Sequence, residues 1–234
     1  RSVFTGRMHA CGHDGHTAML LGAARYLAQT RQFDGTVNFI FQPAEEGLGG
    51  AQAMIDDGLF KRFPCDSVFG MHNRPSLDLG KFNVKPGPMM AGGAFFDIHV
   101  TGKGAHGARP ETGVDAVMVA AHIAVALQTV VSRNVAPLDA AVLSVTMITS
   151  GDAYNVIPQT AHLAGTARAF SRSVMQQMES AMKRVAKGVA EGLGASAEVD
   201  FRALFSPTIN DAEQAAFAAQ ICDELVGPAN VNRN

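Results

Sequence analysis

Two short apolar runs constrain the fold of this chain more than any other feature. Residues 36–41 (TVNFIF) and 67–71 (SVFGM) have strand length and too little polar alternation for either face to meet water. Strands buried on both faces belong to parallel sheets, because the crossover helices of such sheets cover both sides. Met19, Leu20, Ala23, Ala24 and Leu27 mark a helix before the first run, and a second helix is expected around 51–60, between the runs. Helix and strand alternating in this order imply a doubly wound α/β layer.

The pattern changes after a Pro/Gly-rich crossing at 85–93 (KPGPMMAGG), which reads as a domain linker. Phe96, Ile98 and Val100 alternate with Asp97, His99 and Thr101, as in a half-exposed strand. A helix follows, with Thr112 and Asp115 as a capping box and Val114, Val117, Met118, Ala121 and Val125 as its buried stripe. Strands are expected at 140–148 and 160–169. A second capping box, Ser173 and Gln176, opens a helix whose stripe is Val174, Met178, Met182, Val185 and Val189. That helix stops at Gly192 and Gly194, and a last strand runs to about 201. The order βαββαβ is that of a ferredoxin-like α+β layer with its helices on one face. Asn210 and Glu213 then cap a helix that closes at Gly227 and Pro228. The expected organisation is a discontinuous, mainly parallel α/β catalytic domain, 1–84 and 201–234, with the α+β domain 85–200 inserted into it.

A formal net charge of −2 gives no reason to expect nucleic acid or a membrane as partner. No apolar run approaches the roughly 20 residues that span a bilayer. Three widely spaced cysteines, Cys11, Cys65 and Cys222, argue against a disulfide framework and for a reducing cytoplasm.

The chemistry gathers where an open α/β sheet collects its sites, beyond the carboxyl ends of strands. Glu45 and Glu46 follow the first apolar run, His72 closes the second, and Cys11 and His13 lie in a turn before a helix. A thiolate candidate, imidazoles and adjacent carboxylates form the ligand set of a transition-metal hydrolase rather than of a calcium or magnesium site. Gly12 allows the bend that brings Cys11 and His13 to one centre. If the segment around Glu45 and Glu46 is extended, one carboxylate holds metal while the other faces the attacking water as general base. His9 and His16 read equally as supports for the ligands or as packed side chains. Asp14 either orients His13 or favours the helix N-terminus.

The motifs HACGHDGHT (9–17), QPAEEG (42–47), GMHN (70–73), GKGAHGARP (102–110), NVIPQT (155–160) and GTAR (165–168) together resemble the M20 metallopeptidase family. The likeness is to its amidohydrolase branch, which contains hippurate hydrolase and the indole-acetyl-amino-acid hydrolases. The resemblance implies Cys11, His13, Glu46 and His72 as ligands of two divalent transition-metal ions, with Glu45 as general base. Zinc or manganese would be the metal, with cobalt or nickel as alternatives. It implies that His106, Asn155 and Arg168 approach the substrate from the inserted domain, often from a neighbouring subunit. His106 would then stabilise the oxyanion while Asn155 and Arg168 hold the substrate carboxylate. The implied reaction is hydrolysis of the amide bond of an N-acyl amino acid by a homodimer joined through the inserted domain. The family's early Asp-rich motif and its late histidine ligand are not in this sequence, so the chain is expected to be a fragment lacking both ends. An aminopeptidase or dipeptidase of the same architecture is the first alternative, and a non-catalytic metal-binding dimerisation protein the second. His99, His122 and His162 have no partner motif and read as structural.

Overall fold

The computed structural model describes residues 3–8 and 10–233, so the reading of His9 lies outside the described residues. The chain divides into two compact units, Arg1–Val84 with Phe217–Asn234, and Lys85–Ala216.

In the first unit, helix α1 (His13–Thr30) follows the Cys/His turn, and short helices span Gly50–Asp56 and Leu59–Arg62. The doubly wound parallel sheet expected here is not formed among the described residues. Segments 36–41 and 67–71 join no ladder, and Val37, Phe41, Val68, Phe69 and Met71 are exposed. Among the described residues, the unit's parallel pairing is confined to Phe82–Asn83 beside Val231–Asn232. An apolar run records a side chain's need for burial, but a strand exists only where another segment supplies its ladder. No described segment pairs with either of these two in a ladder.

The second unit holds the whole buried cluster. Strand β1 (Gly92–Thr101) is followed by helices α2 (Ala116–Ala126) and α3 (Gln128–Asn134), then by strands β2 (Ala141–Ser150) and β3 (Thr160–Ala169). Helix α4 (Arg172–Gly192) and strand β4 (Ser196–Phe205) complete it. The sheet order is β2-β3-β1-β4, with every pair antiparallel, so the βαββαβ pattern closes as a ferredoxin-like layer. Phe96, Ile98, Leu163, Ile123, Leu127, Met178 and Met182 are fully buried between the sheet and its helices. Glycine is required at 165, where a Cβ would overlap the Ser144 carbonyl and the Phe96 ring.

Several local expectations shift by a residue or more. Gly87–Met90, read as part of a linker, is a short strand paired antiparallel with Thr208–Asn210. The unit therefore extends to Ala216. Asp115 itself caps α2, accepting the N–H groups of Val117 and Met118, while Thr112 ends a preceding 3-10 turn. Ser171 caps α4 in place of Ser173, and Asp211 in place of Asn210 accepts the N–H groups of Glu213 and Gln214. Each acceptor sits two or three residues before the amides it satisfies, the reach of a short side chain at an N-cap. The continuous stretch Ala116–Asn134 is 19 residues long and apolar enough to cross a membrane, contrary to expectation. In the fold, Ala116, Val119, Ala120, Ile123, Leu127 and Val130 are core residues, whereas Val117, Met118, Ala121 and Val125, expected to be the buried stripe, face outward on the other side of the helix.

On the sheet face away from the helices, Asp97 accepts hydrogen bonds from Arg202 and from His162 Nε2. The Arg202 guanidinium foremost holds the Asp97 carboxyl below its ordinary value of 3.8. With the folded value depressed, the contribution of Asp97 to stability is complete above the unfolded value and is lost as pH falls through the folded one. Acid unfolding followed by circular dichroism should show wild type losing stability relative to Asp97→Asn as pH falls below about 5 and on through the depressed folded value. Parallel curves would refute this.

Candidate metal centre

Gly12 begins the site. It adopts φ +79° at the N-terminus of α1, a conformation glycine tolerates and most residues resist. A Cβ there would also overlap the Asn73 side-chain amide. Glycine thus permits both the turn that presents Cys11 and His13 and the approach of the His72-Asn73 segment.

His72 is set by its neighbours on both ring nitrogens. Its Nδ1–H donates to the Asn73 carbonyl at 2.6 Å, which leaves Nε2 with a lone pair 3.3 Å from Cys11 Sγ. Partial burial foremost, then the negative charges of Glu46 and Glu45, push the Cys11 thiol above its ordinary value. The thiol therefore keeps its proton and donates it to His72 Nε2. The His16 ring lies tilted at 58° against the His72 ring, with centroids 4.3 Å apart, and its Nε2 accepts the Asn73 main-chain N–H at 3.0 Å. With that nitrogen engaged, His16 braces the His72-Asn73 segment rather than joining the candidate ligands. Asn73 is the residue that sequence reasoning missed. Its signal was its place beside His72 in GMHN.

The Glu45-Glu46 segment departs from the extended form expected of it. Ala44 has φ +51° and Gly47 φ +82°, which fold the segment into an irregular helical turn. Both carboxylates therefore approach the same group: Glu45 Oε2 is 3.5 Å and Glu46 Oε1 3.7 Å from His13 Nε2. The turn is locked by buried Gly50, where a Cβ would overlap the Pro43 carbonyl.

Cys11, His13 and Glu46 bring one ligand atom each within 4.8 Å of one another, and His72 adjoins Cys11. A sulfur and a nitrogen on one tetrahedral zinc ion, at roughly 2.3 and 2.05 Å from it, stand about 3.5 Å apart. The Cys11–His72 distance is close to that value. Thiolate, imidazole and carboxylate donors are also the set that a divalent transition metal selects. The residues present fit such an ion.

The remaining three candidates lie in the second unit and fall into two groups. Ala105–His106 pairs antiparallel with Val156–Ile157, and Gly107 N–H donates to the Asn155 carbonyl at 2.7 Å, which sets His106 beside Asn155. His106 Nδ1 accepts the Ala108 N–H at 3.1 Å, so the neutral ring carries its proton on Nε2 as a donor. Arg168 stands near the other end of β3. Its guanidinium lies 5.7 Å from the centroid of the Phe205 ring and donates to the Ala167 carbonyl, in space that a side chain at Gly93 would fill. Eight residue steps of β3 separate Thr160, at the His106 end, from Arg168, roughly 27 Å at strand rise.

Residues 2–234 match the sequence profile of peptidase family M20/M25/M40. The chain belongs to that family. This M20 chain is 43% identical over 227 residues to hippurate hydrolase of Campylobacter jejuni, a match covering 97% of the chain and 59% of that protein. It is 45% identical over 198 residues to N-acetylcysteine deacetylase of Bacillus subtilis, covering 84% of the chain and 52% of that protein. The M20 chain thus spans little more than half the length of these curated relatives. A dinuclear metal-binding M20 peptidase of Bacillus subtilis superposes with a TM-score of 0.78 at 36% identity, covering 100% of the chain and 60% of that structure.

Proposed function

We propose that this chain is the metal-binding part of an amidohydrolase that cleaves the amide bond of N-acyl amino acids. The observation that carries the proposal is the convergence of Cys11, His13, Glu46 and His72, with Glu45 beside them and outside the tightest ligand group. The names of the two relatives, a hippurate hydrolase and an N-acetylcysteine deacetylase, supply the substrate class. Cys11, His13, Glu46 and His72 would hold two divalent ions, zinc or manganese before cobalt or nickel, in line with the dinuclear neighbour. Such ions, when bound, supply Lewis acidity toward the amide carbonyl and toward water.

The chain's own groups do the rest. Glu45 takes a proton from the attacking water and returns it to the leaving amine. His106 donates from Nε2 to the oxyanion that forms on the carbonyl. Arg168 presents a planar guanidinium to the substrate carboxylate, and Asn155 donates beside it. Because His106 and Asn155 lie at one end of the sheet and Arg168 at the other, all three serve one substrate only when two chains contribute. That separation supports a homodimer through the inserted unit, with the edge strand β2 and helix α2 as its proposed surface. These expose Val142, Met147, Ile148, Val117, Met118 and Val125. The working compartment would be reducing, the cytoplasm, since the three cysteines are odd in number and widely spaced and one of them is proposed as a ligand.

The test is metal content and hydrolysis in parallel. Protein purified without chelator should carry about two transition-metal ions per chain. It should release glycine from hippurate or acetate from an N-acetyl amino acid, lose that activity to a chelator, and regain it with zinc or manganese. Cys11→Ser should lower the metal content. A protein with no affinity for these metals overturns the proposal.

A further inference from the structure

Three side chains of metal-ligating type stand in a row on the open face of the ferredoxin-like sheet, where their sequence positions alone show no connection. Ala94, Phe96, Ile98 and Val100 of β1 point into the core, so Asp97 and His99 stand on the opposite face. His162 of β3 lies directly opposite His99, and Glu198 of β4 lies directly opposite His99 on its other side. Neighbouring strands run about 4.8 Å apart, so the row His162, His99, Glu198 crosses three strands at contact spacing. The two imidazoles stack with centroids 4.9 Å apart at 24°.

A second observation distinguishes this row from a chance run of polar side chains. His162 Nε2 lies 2.7 Å from Asp97 Oδ1, and the other Asp97 oxygen is held by Arg202, which also pairs with Asp200. A carboxylate accepting from Nε2–H selects the tautomer whose Nδ1 carries a lone pair. That carboxylate–histidine pairing regularly accompanies histidines that bind metal through their other nitrogen. A hollow of about 420 Å³ opens beside the two rings, lined also by Thr101, Thr149 and Ser150.

The geometry points to a further metal site in the second unit, at which His162 Nδ1, His99 and Glu198 take up one divalent transition ion of the zinc, copper or nickel type. Imidazole and carboxylate donors suit these ions. Chelation requires His99 and Glu198 to turn about their side-chain bonds, which their exposure allows. Asp97 does not touch the ion; it positions His162. The site shares no residue with the Cys11 cluster and does not rest on the proposed hydrolysis.

Equilibrium dialysis of the full chain against Zn²⁺ tests it, with His99→Ala, His162→Gln, Glu198→Gln and Cys11→Ser run beside wild type. Wild type should take up one equivalent more than His99→Ala or His162→Gln, and Cys11→Ser should keep that equivalent. Asp97→Asn should weaken it by about tenfold, the usual penalty for losing a supporting carboxylate, and Glu198→Gln, which removes a ligand, by at least as much. Thermal unfolding without metal should leave His99→Ala unchanged, so that its loss of zinc cannot be attributed to misfolding. Should His162→Gln fail to fold, His99→Ala decides the matter. Equal zinc uptake by wild type and His99→Ala overturns the site, as does loss of the additional equivalent in Cys11→Ser.

Discussion

Glu45→Gln should leave the metal content unchanged and lower kcat for hippurate-type hydrolysis by roughly 10²- to 10⁴-fold, the range attributed to a general base. Two distances make the substitution informative. Glu45 and Glu46 approach His13 Nε2 almost equally, at 3.5 and 3.7 Å, yet only Glu46 joins Cys11 and His13 in the group of ligand atoms within 4.8 Å. Glutamine preserves the size of the side chain and removes its capacity to accept a proton. If Glu45 is the base, metal stays and turnover goes, while Glu46→Gln releases metal. The reverse pattern, with metal lost from Glu45→Gln and retained by Glu46→Gln, would exchange the two assignments. Retention of both metal and turnover in Glu45→Gln would remove Glu45 from the reaction altogether. Both carboxylates are at least half exposed, so the effect lies in chemistry rather than in stability.

What the sequence made legible follows from which interactions are local. The alternation of Phe96, Ile98 and Val100 and the stripe through Val174, Met178 and Met182 each report a face that must be buried. The structure buries those faces. Caps were misplaced because several short polar side chains cluster near each helix start, and which one reaches the free amides depends on the backbone angle at entry. Ser171 wins over Ser173, and Asp115 stands alone without Thr112. Segments 36–41 and 67–71 look like buried strands because they are apolar, but pairing is decided by partners elsewhere in a chain. At the site, residue types and order pointed to Cys11, His13 and His72. The turn that brings Glu45 and Glu46 to one side depends on positive φ at Ala44 and Gly47, which only the Gly47 position hinted at. Asn73 and the Asp97–His162 pair emerge only when segments far apart in sequence are set side by side, as the 57-residue separation of His16 and Asn73 shows.

Gly12→Ala should weaken transition-metal binding by at least about tenfold, although it removes no ligand. An alanine forced into the left-handed region costs about 1–2 kcal/mol in backbone strain alone. Here the added Cβ also overlaps the Asn73 side-chain amide, which neighbours His16 Nε2 and belongs to the residue whose carbonyl orients His72. Relief of the overlap moves either the Cys11-Gly12-His13 turn or the His72-Asn73 segment, and both carry proposed ligands. Gly80→Ala is the control. Gly80 has φ +81°, matching the +79° of Gly12, but nothing lies within 4 Å of the Cβ it would gain. Gly80→Ala therefore reports the backbone strain without the collision. Comparable thermal destabilisation in the two variants, with metal affinity lost only in Gly12→Ala, would establish that the glycine is needed for the approach of Asn73 as well as for the turn. Unchanged affinity in Gly12→Ala would show that the two ligand-bearing segments assemble without that close packing. The helix N-terminus would then be a consequence of the centre rather than its scaffold.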